Sequence, residues 1–238
     1  MAKLIILTGA GLSAESGLRT FRDNDGLWEN HSVEEICDGR TWRRNFELVH
    51  KFYNDRRTGL ATAEPNEAHR MIAKWESLYD TIILTQNVDD LLERAGCKKV
   101  VHLHGFLPEM TCAMCESIWN IGYTTWKSDT PCPTCKSLGE ARPRIVFFGE
   151  AAPHYRTLWD SLDSLSDRDV LLVIGPSGTV LPISQIAAMY PGFKILNNLG
   201  SESAIEDNLF DKVFHMPATQ AAKIIDPILK ERLQASED

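Results

Sequence analysis

The chain has no excess of positive charge. Its 25 Lys and Arg face 33 Asp and Glu, a formal balance of −8. No global positive field draws in phosphate, which argues against a nucleic-acid partner. No apolar run approaches about 18 residues, so no membrane-spanning helix is predicted. There is no long internal repeat and no low-complexity stretch, only a short tail from Gln234 to Asp238 that reads as frayed. No secretory signal precedes the first apolar run at Lys3, so a cytoplasmic setting is expected, where disulfides are rare.

What remains is a chain of 238 residues with 43% hydrophobic content, enough for one large domain or one domain carrying an insertion. Four of its 6 cysteines stand in two tight pairs, Cys112-Ala113-Met114-Cys115 and Cys132-Pro133-Thr134-Cys135, sixteen residues apart. That is the ligand spacing of a structural Zn²⁺ site, in which two C-x-x-C turns close a tetrahedron of thiolates. The alternative is two disulfides, which the expected compartment disfavours. Four thiolates leave no open coordination position, so such a metal is structural rather than catalytic. Cys37 and Cys97 have no partner motif and read as ordinary buried or half-buried thiols.

Continuously apolar strands alternate with helical stretches. Strands are expected at Lys3 to Leu7, Thr81 to Thr85, Val100 to Leu103, Ile145 to Phe148, Val170 to Ile174, Lys194 to Leu196 and Val213-Phe214. Helices are expected at Thr41 to Arg57, with Thr41 a candidate N-cap and Gly59 beyond the end, and at Asn66 to Leu78, Tyr155 to Ser164 and Leu181 to Met189. The pattern predicts an α/β fold with a doubly wound, Rossmann-like parallel sheet. Polar residues gather just past strand ends, at Gly9, Gln86-Asn87, His104, Gly175 and Asn198, where such sheets bind ligands.

Gly9-Ala10-Gly11-Leu12-Ser13-Ala14 satisfies the relaxed Gly-x-Gly-x-x-Gly/Ala pattern that brings backbone amides against a pyrophosphate. Glycine turns after strands are common, and Asp23 and Asp25 come too early for the usual ribose contact. Thr85-Gln86-Asn87-Val88-Asp89 places amides and a carboxylate at a strand end, suited to a carboxamide and a ribose, although Asn87 and Asp89 also suit helix caps. His102 and His104 alternate, so both face one side if the strand runs through them. A neutral imidazole at the strand end can take a proton near pH 7.

Taken together, Gly9-Ala10-Gly11-x-Ser13-x-Glu15-Ser16-Gly17, Thr85-Gln86-Asn87-x-Asp89, His104-Gly105, the four cysteines, Arg142-Pro143-x-Ile145-Val146-x-Phe148-Gly149-Glu150 and Gly175-x-Ser177 resemble the sirtuins, NAD-dependent protein deacylases. The likeness covers nearly the whole chain in family order. It implies a Rossmann-like domain at 1–28, 76–107 and 141–238, a helical insertion at 29–75 and a zinc-binding insertion at 108–140. It implies NAD as co-substrate, one structural Zn²⁺ on Cys112, Cys115, Cys132 and Cys135, and acylated-lysine proteins or peptides as partners of a monomer. By the same resemblance His104 is the general base on the ribose hydroxyls. Gly9, Ala10, Gly11, Ser13, Glu15, Phe21, Arg22 and Trp28 belong to the cofactor loop, and Gln86, Asn87 and Asp89 to the nicotinamide-ribose pocket. Gly175, Ser177, Asn198 (in preference to Asn197) and Ala218 fall at the adenosine end. Val146 and Phe148 lie on the segment that pairs with substrate backbone. The products are free lysine, nicotinamide and O-acyl-ADP-ribose.

There are departures from the common family pattern. Asp90-Leu91-Leu92 replaces Gly-Leu-His, Arg19-Thr20-Phe21-Arg22 replaces Pro-Asp-Phe-Arg, and the adenosine turn reads Gly175-Pro176-Ser177. Thr20 is typical of the desuccinylase-like branch, and so is the Tyr53-x-x-Arg56 pair. Residues three apart share a helix face, and an Arg fork with a phenol can hold the carboxylate of a succinyl or malonyl group. The plainer reading is that Arg56 and Arg57 complement a helix C-terminus; under the carboxylate reading of Arg56, Arg57→Met is the matched control, expected to do little to either substrate. A sirtuin-like NAD hydrolase or ADP-ribosyltransferase, and a non-enzymatic nucleotide-binding module, are the competing classes.

Overall fold

Four runs rich in Leu, Ile and Val carry apolar side chains on both faces and fold as strands buried on both sides, which requires a helical layer above and below. The computed structural model describes residues 2–19, 27–28 and 31–234, with the backbone alone at 27–28 and 234. The chain opens with β1 (Lys3–Thr8) and α1 (Gly11–Ala14). A small antiparallel pair, β2 (Leu27–Trp28) and β3 (His31–Ser32), leads to α2 (Val33–Ile36), α3 (Phe46–Thr62) and α4 (Glu67–Leu78). Next come β4 (Asp80–Thr85), α5 (Leu91–Ala95), β5 (Val100–His102), β6 (Gly105–Cys112), β7 (Ile118–Asn120) and β8 (Ala141–Ile145). The chain closes with α6 (Tyr155–Asp163), β9 (Val170–Ile174), α7 (Ile183–Met189), β10 (Phe193–Asn198), β11 (Lys212–His215) and α8 (Ala218–Gln234).

Among the described residues, six strands form a parallel sheet in the order β11-β10-β9-β1-β4-β5. Strand alternation sorts the core. Leu4 and Ile6 face α4 and α8, where Ile72, Trp75, Ala221, Ile225 and Leu229 are buried. Ile5 and Leu7 face α6 and α7, through Leu158, Ile183 and Ile186. The chain order reverses between β1 and β9, and a ligand crevice is expected beyond that switch point.

Two excursions leave the sheet. One, between β1 and β4, packs Ile36, Trp42, Val49, Phe52 and Tyr53 around α3. The other, between β5 and β9, is the three-stranded antiparallel sheet β7-β6-β8. α4, although it follows the first excursion, packs Ala68, Ile72 and Trp75 into the main core.

α3 departs from expectation at both ends. It begins at Phe46 because residues 38–42 are drawn into turns, with Asp38 accepting from the Arg40 backbone and guanidinium and the Thr41 hydroxyl donating to the Glu34 carbonyl. It runs through Gly59 to Thr62 because burial of Leu60 offsets the cost of roughly 1 kcal/mol for an internal glycine. The strand expected at Ile145 to Phe148 ends at Ile145. Beyond it the Phe147 N–H turns to the Glu150 carboxylate, and Phe148 forms an isolated bridge to Asp38. Asn197 and Asn198 lie inside β10 rather than after it.

Arg57 reverses its expected role. Its side chain is 0% exposed. Nε donates to the Leu107 carbonyl at 2.8 Å, one terminal nitrogen donates to Asn54 Oδ1, and the other lies 3.0 Å from the Met110 sulfur. It ties α3 to β6, and burial lowers its pKa to about 10. Arg57→Met is therefore no neutral control. It strands a buried carbonyl and is expected to cost roughly 2–3 kcal/mol, read as a Tm lower by roughly 4–12 °C. An unchanged Tm would show that the guanidinium is dispensable.

Candidate active site

β1 and β9 end side by side, and each continues into a glycine turn. Gly9 N donates to the Ile174 carbonyl at 2.9 Å and Gly11 N to the Gly175 carbonyl at 3.0 Å. A Cβ on Gly11 would stand 2.7 Å from Gly175 Cα, and Gly175 itself has φ +65°. The glycines thus let the two turns touch, in addition to leaving backbone open to a ligand.

A cleft of about 1130 Å³ opens over this contact. It is lined by Gly9, Ala10, Gly11, Ser13 and Glu15 from the first turn, by Gln86, Asn87, Asp89 and His104 past β4 and β5, and by Gly175, Ser177, Asn198 and Ala218 at the far end. Val146, Phe148 and Arg56 line it on the side of the excursions. Phe21 and Arg22, expected in the cofactor loop, lie outside the described residues, and Trp28 is described only as backbone of β2.

The polar centre is a connected network. Ser13 Oγ donates to Asp89 Oδ2 at 2.9 Å and accepts from Asn87 Nδ2 at 3.1 Å, with His69 Nε2 at 3.4 Å. Burial raises the Asp89 pKa, partly opposed by its bonds from Leu91 N and Ser13. Gln86 Nε2 is buried without a hydrogen-bond partner among the described residues. An orphan amide beside a strand-end carboxylate fits a ligand that brings its own acceptor and hydroxyls.

His104 is oriented by its backbone neighbours. Nδ1 lies 3.2 Å from the Gln86 carbonyl, which can only accept, so Nδ1 carries the proton. Burial lowers its pKa, opposed by that bond, and the ring is neutral with its lone pair on Nε2. His102 does not share this side, because β5 ends at His102. It faces a neighbouring hollow of about 940 Å³, with Nδ1 at 2.9 Å from the Asn87 carbonyl and Nε2 at 2.7 Å from Glu93. Burial alone would lower its pKa, but the Glu93 carboxylate and the Asn87 carbonyl outweigh that and raise it.

Several residues do other work than their motif suggests. Both Glu15 oxygens accept from Thr219, from its N–H and its hydroxyl, and so hold the start of α8. Asn197 spends its amide on the Phe214 and Met216 carbonyls, whereas Asn198 donates to the Pro176 carbonyl. Phe148 gives both backbone groups to Cys37 and Gly39, which leaves its 46% exposed ring as what it offers the cleft. Tyr53 is 0% exposed, stacks on Phe147 at 6.0 Å and meets the Cys37 thiol, and it does not line the cleft. Among the lining residues that sequence reasoning missed are Cys37 and Tyr155. Neither carries a local signal, since their partners lie 16 and 51 residues away.

The four paired cysteines converge, with all sulfurs within 4.8 Å of one another. Cys112 to Cys135 is 3.7 Å and Cys115 to Cys132 is 3.8 Å. Those spacings are far from a disulfide of about 2.05 Å and match the roughly 3.8 Å edge of a tetrahedron with Zn–S near 2.3 Å. The two turns repeat each other. Glu116 and Lys136 both have positive φ, and Ser117 and Ser137 each place a hydroxyl on the preceding cysteine sulfur, at 3.2 and 3.0 Å.

With this geometry in place, the relatives are informative. Residues 9–182 match the model of the Sir2 family. An NAD-dependent protein deacylase of Helicobacter hepaticus is 45% identical over 97% of this chain and 98% of its own length. One from Campylobacter jejuni is 48% identical over 90% of each chain. Among solved structures, a Sir2 homologue in complex with NAD superposes with a TM-score of 0.83 at 33% identity, covering 97% of this chain and 90% of that one. A Sir2 protein bound to a propionylated peptide gives 0.76 at 28% identity, covering 94% and 92%. The chain belongs to the Sir2 family.

Proposed function

We propose that this protein is an NAD-dependent protein-lysine deacylase, releasing nicotinamide, free lysine and O-acyl-ADP-ribose. The observation that carries the reading is the neutral His104, its Nε2 lone pair set in a cleft between the glycine turns and the Ser13–Asn87–Asp89 network. NAD, when bound, supplies a ribose carbon that the acyl oxygen attacks as nicotinamide departs. The chain's own groups do the rest. The turns at Gly9 to Gly11 and Gly175 to Ser177, with Asn198 and Ala218, hold the adenosine diphosphate part. Gln86, Asn87 and Asp89 orient the carboxamide and its ribose, and His104 takes a proton from a ribose hydroxyl. Val146 and Phe148 border the acyl-lysine.

Zinc would be held by Cys112, Cys115, Cys132 and Cys135, where it closes the β6–β8 excursion and offers no open position for chemistry. The excursion between β1 and β4 and the zinc segment together form the smaller lobe, with the six-stranded sheet as the larger. Four free thiols gathered at one site suit a reducing, cytoplasmic compartment. Incubation with NAD and an acyl-lysine peptide tests the reading. NAD loss that depends on peptide is expected. Peptide-independent loss would make the protein an NAD hydrolase, and no loss would make it a binding module.

Within this activity we read the acyl preference as acidic. Arg56 reaches the cleft, over the ring of Phe52 at 5.8 Å. A succinyl or malonyl carboxylate buried there needs a cation. Tyr53 can add its hydroxyl only if the Cys37 thiol releases it. Arg56→Met is expected to lower succinyl-peptide kcat/KM by roughly 10- to 100-fold, about 1.4–2.7 kcal/mol, with acetyl-peptide turnover changed much less. Equal losses on both peptides would assign Arg56 a structural role.

A further inference from the structure

His104 has one lone pair to offer, and the protein already uses it. Tyr155 Oη lies 2.9 Å from Nε2. With the ring proton fixed on Nδ1 by the Gln86 carbonyl, Nε2 can only accept, so the phenol is the donor. Tyr155 is well placed to hold this position. It is the first residue of α6, and its N–H is tied to the Ala152 carbonyl. Its half-buried ring packs on the cluster that includes Leu103 and Leu158. The two rings sit 5.9 Å apart at 48°. Tyr155 also lines the cleft itself.

We propose that Tyr155 is a positioning residue that latches the base. Its hydroxyl occupies the Nε2 lone pair while the cleft is free of ligand and yields it to a ribose hydroxyl of the co-substrate. The proposal rests on the reading of His104 as the base. Nδ1 already fixes the imidazole tautomer, so the tyrosine bond is not needed to choose it. What the bond does is compete. A ligand that brings a hydroxyl to Nε2 exchanges one hydrogen bond for another instead of gaining one, and its affinity is reduced accordingly. As the first residue of its helix, Tyr155 can turn its hydroxyl aside without disturbing the turns behind it.

The competition has a signature opposite in sign to damage. Tyr155→Phe keeps the ring and its packing and deletes the donor. Calorimetric titration should show ADP-ribose binding about 2- to 10-fold more tightly to Tyr155→Phe, the range that the net worth of one neutral hydrogen bond allows. ADP, which lacks the second ribose, should bind both proteins alike. In a His104→Ala background the lone pair is gone, and Tyr155→Phe should then leave ADP-ribose affinity unchanged, which closes a double-mutant cycle on the pair. Unchanged or weaker ADP-ribose binding in folded Tyr155→Phe overturns the latch, as does an equal change on ADP. Unaltered binding with turnover down by about 10²-fold would instead make Tyr155 a proton carrier and also overturn it. A parent protein that binds neither ligand overturns the functional reading and the latch with it, whereas one that binds both but shows no cycle energy overturns the latch alone.

Discussion

His104→Ala is expected to remove nearly all peptide-dependent NAD consumption, a loss on the order of 10²–10⁴-fold, while the protein still folds and still binds NAD. Among the described residues the imidazole hydrogen-bonds to the Gln86 carbonyl and to Tyr155, and His104 lies outside the strands of the sheet. Its deletion therefore removes a base and little structure. The pH profile offers a second check. Burial lowers the His104 pKa below the ordinary imidazole value of about 6.5. A lowered pKa means that the ring stays unprotonated, and able to accept, further into the acid range. The acid limb of kcat/KM is expected to fall with a midpoint below pH 6.5 and to vanish from the residual activity of His104→Ala. Near-normal turnover in the folded variant would reject the assignment.

Removal of the metal is expected to have the other large effect. Structural zinc in small modules contributes about 10–16 kcal/mol of apparent folding energy. Here the excursion has other supports: the β6–β8 pairing, Arg57 reaching in from α3, and an Arg43–Glu140 ion pair. If these leave the metal responsible for only roughly 5 kcal/mol, Tm should still drop by roughly 10–20 °C on chelation under reducing conditions. Activity should be lost with it, because one strand, β6, leads from Gly105, next to His104, to Cys112. A Cβ on Gly105 would collide with the Arg144 carbonyl, so β6 and β8 meet tightly beside the base. Zinc analysis of chelated protein by mass spectrometry, alongside calorimetry, checks this. Fully active protein with far less than one zinc per chain would refute it.

Much of this architecture is legible in the sequence, where local chemistry decides it. Val170 to Ile174 is apolar at every position, short, rich in β-branched residues and followed by Gly175, which reads as a strand buried on both faces. The cysteine spacing specifies a tetrahedral site, and the sulfurs converge as that spacing demands. Asn66 caps α4 through Ala68 N and His69 N, as its position before an apolar period suggests. α8 is not among the helices expected from the sequence, because Pro227 interrupts the period that Ala218, Ala221, Ala222, Ile225 and Leu229 otherwise show. Other features depend on partners far along the chain. Arg56 and Arg57 are alike as residues, yet a turn of about 100° separates a cleft cation from a buried clamp. Tyr155 carries no sign of its histidine, nor Cys37 of its tyrosine, and the premature end of β8 reflects a carboxylate at Glu150 and a bridge to Asp38.

The bridge between Asp38 and Phe148 sets which part of the molecule the cleft floor belongs to mechanically. The Phe148 N–H donates to the Cys37 carbonyl, and the Gly39 N–H donates to the Phe148 carbonyl. At Phe148 the floor is thus pinned by backbone to the helical excursion, whereas the Val146 N–H ties its start to the His104 carbonyl. Amide hydrogens at Phe148 and Gly39 should exchange with solvent as one cooperative unit with α3, at an opening free energy below that of β1 and β9. A fluctuation that loosens α3 would dismantle the Phe148 side of the cleft while the glycine turns after β1 and β9 keep their protection. The two halves of one active site would then melt separately.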